Sequence, residues 1–318
     1  MTTSPPPPRL AVVPRWRDPG TAQFGDHADA PVLEGLDPPM RSLLRALDGP
    51  GAVATAVATG ARPEDVTALL VQLAGADLLR APGGPGHQHA YVRVHGADRL
   101  GVAVATVLAG AGLGRVAVRA GGRVRPDDVG TGLDHGDVGH PAVLAAASAV
   151  ARSAPGVAVA EPTRRRPDLV VLTGPAAADP AVTAPLHARH QPHLAATAAD
   201  PAGVVGPLVV PGRTSCLRCA DRHRADADPV RAGLDAQREG APAAVGVALA
   251  AVVAGLVVGQ VLAFLEGRAA LLGAADEIDP TRGSLTRRPR PPHPACPCVG
   301  TPPRAPTVRA GENRGRVR

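Results

Sequence analysis

Apolar residues recur at helical spacing in the first quarter of the chain and at strand spacing beyond it. Met40, Leu43, Leu44 and Leu47 share one face of a 3.6-residue period and predict a helix over 39–47, stopped by Asp48-Gly49-Pro50. A second helix is expected over 53–59. A third opens at Pro63-Glu64-Asp65, where proline fits the first turn and acids match the positive helix end, and it carries Val66, Leu69, Leu70 and Leu73. Asp77-Leu78-Leu79-Arg80 then predicts a short strand. Three short helices followed by a strand give the order of a winged helix, so residues 15–84 read as a small, mostly helical, winged-helix-like domain. Residues 1–14, with Pro5 to Pro8, read as a disordered leader, and 81–89 as a linker.

From residue 91 the pattern alternates. Strands are expected at 91–94, 116–118, 157–160, 169–172, 194–197 and 204–210, with helices at 102–111, 141–151 and 181–188. This order predicts an α/β domain with a mainly parallel sheet over residues 85–300. The run 243–265 has Gln260 as its one polar residue and is long enough to cross a bilayer. It is rich in Ala and Gly and lacks an aromatic belt, so it reads as a buried core helix, with a membrane span as the alternative.

Composition narrows the chemistry. All 34 basic residues are arginine, so Schiff-base or phosphate-binding lysine chemistry is excluded. The aromatic residues are Trp16, Tyr91, Phe24 and Phe264, too few for stacking nucleic acid bases. The net charge of +6 is concentrated in residues 282–318, which hold nine arginines against Glu312. Residues 301–318 read as a flexible basic tail, with an RNA-binding or docking arm as the alternative. Residues 15–80 carry six arginines and nine acids, a poor match to DNA phosphates, which disfavours a winged-helix regulator. Neither nucleic acid nor a membrane is expected as a partner. The polar, proline-rich start lacks the apolar core of a secretion signal, so a cytoplasmic location is expected.

Cysteine occurs in two close pairs, Cys216-Leu217-Arg218-Cys219 and Cys296-Pro297-Cys298. Four thiolates in two such pairs can complete a tetrahedral structural Zn(II) site. Because the second pair is tight, His293 is a possible substitute ligand, and free or redox-active thiols are the other reading. A strand also runs into His95-Gly96-Ala97-Asp98-Arg99-Leu100-Gly101 and then a helix, the setting in which backbone amides cradle a phosphate. Asp98 occupies the middle glycine position of that pattern, so a purely structural turn competes with a nucleotide loop.

Together with Leu108-Ala109-Gly110-Ala111-Gly112-Leu113-Gly114-Arg115-Val116, the turn and the cysteines resemble the ThiF/MoeB/HesA (E1-like) adenylyltransferases. The resemblance implies a Rossmann-like E1/ThiF-type domain with a zinc knuckle. The run from Val205 through Pro211-Gly212-Arg213-Thr214-Ser215-Cys216-Leu217-Arg218-Cys219, with Asp221, His223, Arg224, Asp226, Asp228 and Pro229, looks like one branch of that family. Its members are leader-peptide-binding partners of YcaO-type cyclodehydratases, which modify ribosomally made peptides. Trp16-Arg17-Asp18-Pro19-Gly20, Gln23-Phe24-Gly25 and Leu47-Asp48-Gly49 fit that branch's peptide-recognition domain.

Several family positions depart from the pattern. Ala120 and Gly122 stand where the family has D-x-D, whose first acid is expected to hold the ATP ribose, and Gly130-Thr131-Gly132-Leu133-Asp134 replaces a run with a phosphate-facing arginine. Ala142 takes the place of a lysine, and Leu172-Thr173-Gly174-Pro175 that of a metal-holding Asp-Asn pair. The resemblance therefore implies a degenerate nucleotide loop at Gly96, Asp98, Arg99 and Gly101, structural zinc on Cys216, Cys219, Cys296 and Cys298, and ATP binding in question. Trp16, Phe24, Leu78 and Leu79 are the expected peptide-binding residues, a plain core role being the alternative for each. A precursor leader peptide, a YcaO-type enzyme and a second copy of the chain are the expected partners. The rival expectation is an active adenylyltransferase that uses Arg99 and Arg125 as replacement cations.

Overall fold

The computed structural model describes residues 9–47, 51–76, 78–80, 87–161, 165–230 and 245–298. The start of the expected leader, the stop at Asp48-Gly49-Pro50, most of the linker and the basic tail lie outside the described residues. The chain divides into two compact units, Met1–His87 and Gln88–Arg318.

In the first unit, strands precede the helices. Strand β1 (Arg9–Leu10) is followed by β2 (Arg15–Asp18), β3 (Thr21–Gln23) and β4 (Val32–Leu33), then by helices α1 (Pro38–Ala46), α2 (Ala52–Ala58) and α3 (Pro63–Gly75) and by β5 (Leu79–Arg80). β2, β3 and β4 form an antiparallel sheet, and β1 pairs with β5 with Leu10 opposite Leu79. The leader expected over 1–14 is thus structured from residue 9, and the mostly helical expectation missed a three-stranded sheet. These strands are two to four residues long, too short to show a period. The helices follow the predicted pattern: Asp37 caps α1 by accepting a hydrogen bond from the Met40 amide at 2.8 Å, and Met40, Leu43, Leu44 and Leu47 are buried. Val66, Leu69 and Leu73 of α3 bury against the same core, and Leu70 packs at its margin.

The second unit is a seven-stranded α/β sheet. In chain order it comprises β6 (Tyr91–His95), α4 (Arg99–Gly110), β7 (Arg115–Arg119), α5 (Ala142–Ser153), β8 (Leu169–Thr173), α6 (Pro180–Ala188), β9 (His193–Ala199), β10 (Ala202–Val209), α7 (Leu217–Ala227), α8 (Val247–Leu265), β11 (Ala274–Asp279) and β12 (Ser284–Pro289). The spatial order is β12-β11-β10-β9-β8-β6-β7. β7, β6, β8 and β9 are parallel, and β10 to β12 extend the sheet antiparallel. β6 connects outward to β7, whereas β8 lies on its other side. A topological switch point therefore sits between the carboxyl ends of β6 and β8, where such sheets bind ligands.

Side-chain alternation sends Val92, Val94, Val171 and Leu194 to one face, where they pack with α4, α5 and α8, and Val170, Leu172, Ala195 and Val209 to the other, beside the four cysteines. Helix α8 is long and apolar enough to cross a membrane by length and composition. One of its faces buries Leu249, Val253, Val257 and Val261 against the sheet and α4. Residues 157–160 form only a bridge from Ala158 to Arg115 rather than the expected strand. The start of the basic stretch 282–318 is sheet: β12 pairs with β11, and Arg287 and Arg288 meet Asp276 and Glu277.

Candidate functional site

The glycine-rich turn lies at the switch point. Gly96 leaves β6 with φ +134°, and a Cβ there would sit 2.0 Å from Thr173 Oγ1 on β8. A Cβ on Gly101 would sit 2.3 Å from the Gly96 carbonyl oxygen. Both glycines are required by the close approach of turn, helix and neighbouring strand. Asp98 is the N-cap of α4, and its carboxylate accepts the Gly101 amide at 2.8 Å. Burial, the largest influence, raises the Asp98 pKa even though this bond opposes it. The amide that a phosphate would engage at this helix terminus is therefore already donated to a side chain.

Arg99, the residue after Asp98, folds away from the turn. Its Nε donates to the Val129 carbonyl at 2.8 Å, Nη1 donates to the Val245 carbonyl, and Thr131 Oγ1 donates to the Arg99 carbonyl. Arg125 pairs with buried Asp128 at 2.9 Å. Both arginines nominated as replacement cations are thus tied into loop 125–132. The positions that depart from the family pattern gather around the same rim. Gly122 follows Ala120 at the end of β7, and its carbonyl accepts the amide of Ala142 at 3.1 Å. Thr173 ends β8 and donates to the His95 carbonyl at 3.1 Å, fastening β8 to β6.

His95 is buried on the face opposite α4, and among the described residues neither its Nε2 nor the Nε of Arg93 beside it has a hydrogen-bond partner. Burial, then Arg93 and Arg119, push the His95 pKa down to about 4. Glu161 bridges the two arginines, 2.8 Å from Arg119 and 3.7 Å from Arg93. The sequence pattern gave no sign of this cluster, because its members come from two strands and a loop.

The two cysteine pairs meet. Cys216 occupies the N-cap position of α7, Cys219 lies in its first turn, and Cys296 and Cys298 arrive on the arm after β12. All four are buried, and their sulfurs lie within 4.8 Å of one another. The sulfurs of Cys216 and Cys219 are 3.8 Å apart, those of Cys216 and Cys296 3.7 Å, and those of Cys219 and Cys298 3.2 Å. A tetrahedral ion with metal–sulfur bonds of about 2.3 Å has edges of roughly 3.8 Å, so the donor set fits such an ion. Burial raises the thiol pKa of Cys216, and it pushes that of Cys298 up to about 11. A bound cation would supply the charge that lets such thiols ionise. His293 stands outside the set: its Nε2 hydrogen-bonds Asp226 at 2.8 Å, and its Nδ1 accepts the Ala295 amide at 3.1 Å. It pins the second cysteine arm to α7, a contact between residues 67 apart that no local motif announces.

In the first unit, Phe24 and Leu78 are interior, 2% and 5% exposed, so their side chains build its core and are not available to a peptide. Trp16 on β2 is partly buried with Arg45 stacked 5.0 Å from its ring centre, and Leu79 lies partly buried on β5.

The fold is that of known proteins. In solved structures, Escherichia coli MccB aligns with a TM-score of 0.68 at 16% identity, covering 93% of this chain and 97% of that one. MccB with AMPCPP and MccA gives 0.67 at 15% identity, covering 92% and 99%. PaaA gives 0.58 at 17%, covering 87% and 98%. No curated protein matches the sequence. The ThiF family model matches residues 86–298, which span β6, the glycine turn, α8 and all four cysteines, and the chain belongs to the ThiF family.

Proposed function

We propose that this chain is a non-catalytic ThiF-family protein that binds the leader segment of a ribosomally made precursor and presents it to a modifying enzyme. The single observation that carries the reading is the rim of the switch point. Adenylation needs cations to offset phosphate charge developing in the transition state. Here Asp98 holds the Gly101 amide, Arg99 and Arg125 are committed to the protein, and Ala142 stands where the family has a lysine. The frame persists without the charges that would drive the chemistry.

On this reading the N-terminal unit, residues 15–84, takes the leader as an added strand, and Trp16 and Leu79 are partly buried apolar residues on edge strands. Support comes from E. coli MccB, which has been solved with MccA. The second unit, stapled by zinc on the four cysteines, docks a YcaO-type cyclodehydratase in the cytoplasm, and the chain works as a homodimer. The test is titration of the full, metal-loaded chain into a labelled leader peptide of a short precursor, should one be encoded beside it. Saturable binding, with no ATP-dependent pyrophosphate exchange, is expected. Exchange activity would replace this reading with that of an active adenylyltransferase, and absence of peptide binding would remove the leader-binding role.

A further inference from the structure

The edge of the sheet opposite the glycine turn holds a second concave site. Val209 is level with His193 at the start of β9, and His193 is level with Val170 at the start of β8, so the end of β10 opens at the amino edge of the parallel strands. A cavity of about 520 Å³ lies there, between the segments that follow β10, α8 and β12. That volume is within the range of small-ligand sites. Its apolar lining includes Val210, Phe264 and Leu272, and Leu272 is 47% exposed. Phe264 is one of four aromatic residues in the whole chain, and it lines this opening.

The charged residues that line the cavity are Arg213 and Arg290, and among the described residues no acid lines it. Among the described residues, Arg213 has no acidic partner. Arg290 reaches Glu277 at 3.2 Å, a carboxylate it shares with Arg288 at 3.3 Å. The walls are tied in place: Ser215 Oγ donates to the Arg290 carbonyl, the Arg290 amide donates to the Gly273 carbonyl at 2.7 Å, and Thr214 Oγ1 accepts the Val210 amide at 2.9 Å. A site held in shape before binding loses less ordering entropy when it fills.

We propose that this cavity captures the carboxyl-terminal residue of a partner polypeptide, its carboxylate on Arg213 and Arg290 and its apolar side chain on Phe264. Guanidinium groups hold carboxylates through charge-assisted, often paired, hydrogen bonds. A chain end carries the carboxylate and the apolar group on one Cα, so a single ordered residue satisfies both halves of the site. An internal acidic residue would need a second residue to reach the apolar lining. Residues 299–318 of this chain hold five arginines and one glutamate, the wrong sign for the same cavity. The proposal stands apart from leader binding, which uses the other unit.

Ligand-observed NMR on the full, metal-loaded chain tests it, with N-acetylphenylalanine and its carboxamide as probes. The acid is expected to bind with a Kd of about 1 mM, and the amide at least 10-fold more weakly. Arg213→Ala, at an exposed position, is expected to weaken the acid at least 10-fold with an unchanged melting curve, and Phe264→Ala to weaken both probes. Equal binding of acid and amide, an unaffected Arg213→Ala variant, or no binding of the acid below about 10 mM overturns the proposal. So does an acetyl-Glu-Phe-amide that binds as tightly as the acid, because it would assign the cavity to internal acidic segments.

Discussion

The cysteine knuckle and the glycine turn both match family motifs, yet they differ in what keeps their residues in place. At the knuckle, four buried sulfurs lie at the edge lengths of a tetrahedral metal site, and packing alone gives no reason to gather four thiols. At the turn, Gly96 and Gly101 are demanded by Thr173 and by the turn's own carbonyl, whether or not anything binds. A glycine pattern can therefore outlast its ligand, because it also solves a packing problem. A cysteine quartet has no such second use.

The largest effect that would break this contrast is at the knuckle. Cys219→Ser, or metal removal by a chelator, is expected to cost more than about 4 kcal/mol, read as a lower Tm with loss of any bound metal. A melt that ignores the metal would place the cysteines with the glycines, as residues kept for packing. Next comes Gly96→Ala, expected to destabilise by about 3 kcal/mol through the clash with Thr173 and the positive φ. A stable variant that had lost nucleotide binding would reverse the argument and make the turn a working ligand site.

Beside the turn, His95 gives a pH test. Its folded pKa of about 4 lies below the ordinary 6.5, so the unfolded chain binds the extra proton first. The stability it contributes is complete above pH 6.5 and is lost as pH falls from there toward 4. Replacing His95 by Gln is expected to flatten that acid limb by on the order of 2 kcal/mol, measured by urea melts at several pH values. An unchanged limb would mean that the imidazole is not shielded. The smallest effect is expected from Asp98→Ala, about 1 kcal/mol for a lost cap. It frees the Gly101 amide, and ATP is expected to give no thermal shift in the variant. A shift would show that Asp98 alone had closed the site.

Much of this was legible in the sequence, for physical reasons that differ by region. The buried faces of α1 and α3, and the β6 to α4 turn, follow apolar periodicity and capping residues directly. The cysteine pairs were legible because thiol chemistry restricts their use. Strands β1 to β4 escaped because they are too short for a period to emerge. The β11–β12 hairpin was hidden by its charge: Arg287 and Arg288 belong to the arginine-rich run 282–318, and Asp276 and Glu277 lie opposite them only in the folded sheet. Helix α7 was missed because its surface is almost wholly polar, and only Leu217 and Cys219 bury. The inward turns of Arg99 and Arg125 depend on loop carbonyls and on Asp128, whose positions the sequence pattern does not fix.

The two halves of the knuckle are far apart in the order of synthesis. Cys216 and Cys296 are separated by 80 residues, and α7, α8 and the last hairpin lie between them. At roughly 5 to 20 residues per second, the ribosome takes about 4 to 16 s to deliver the second pair after the first. During that interval a metal at this site would have two of its four thiol ligands. Its full ligand set would then require the arm that follows β11 and β12, so metal retention by a nascent chain would report that the last hairpin has been made.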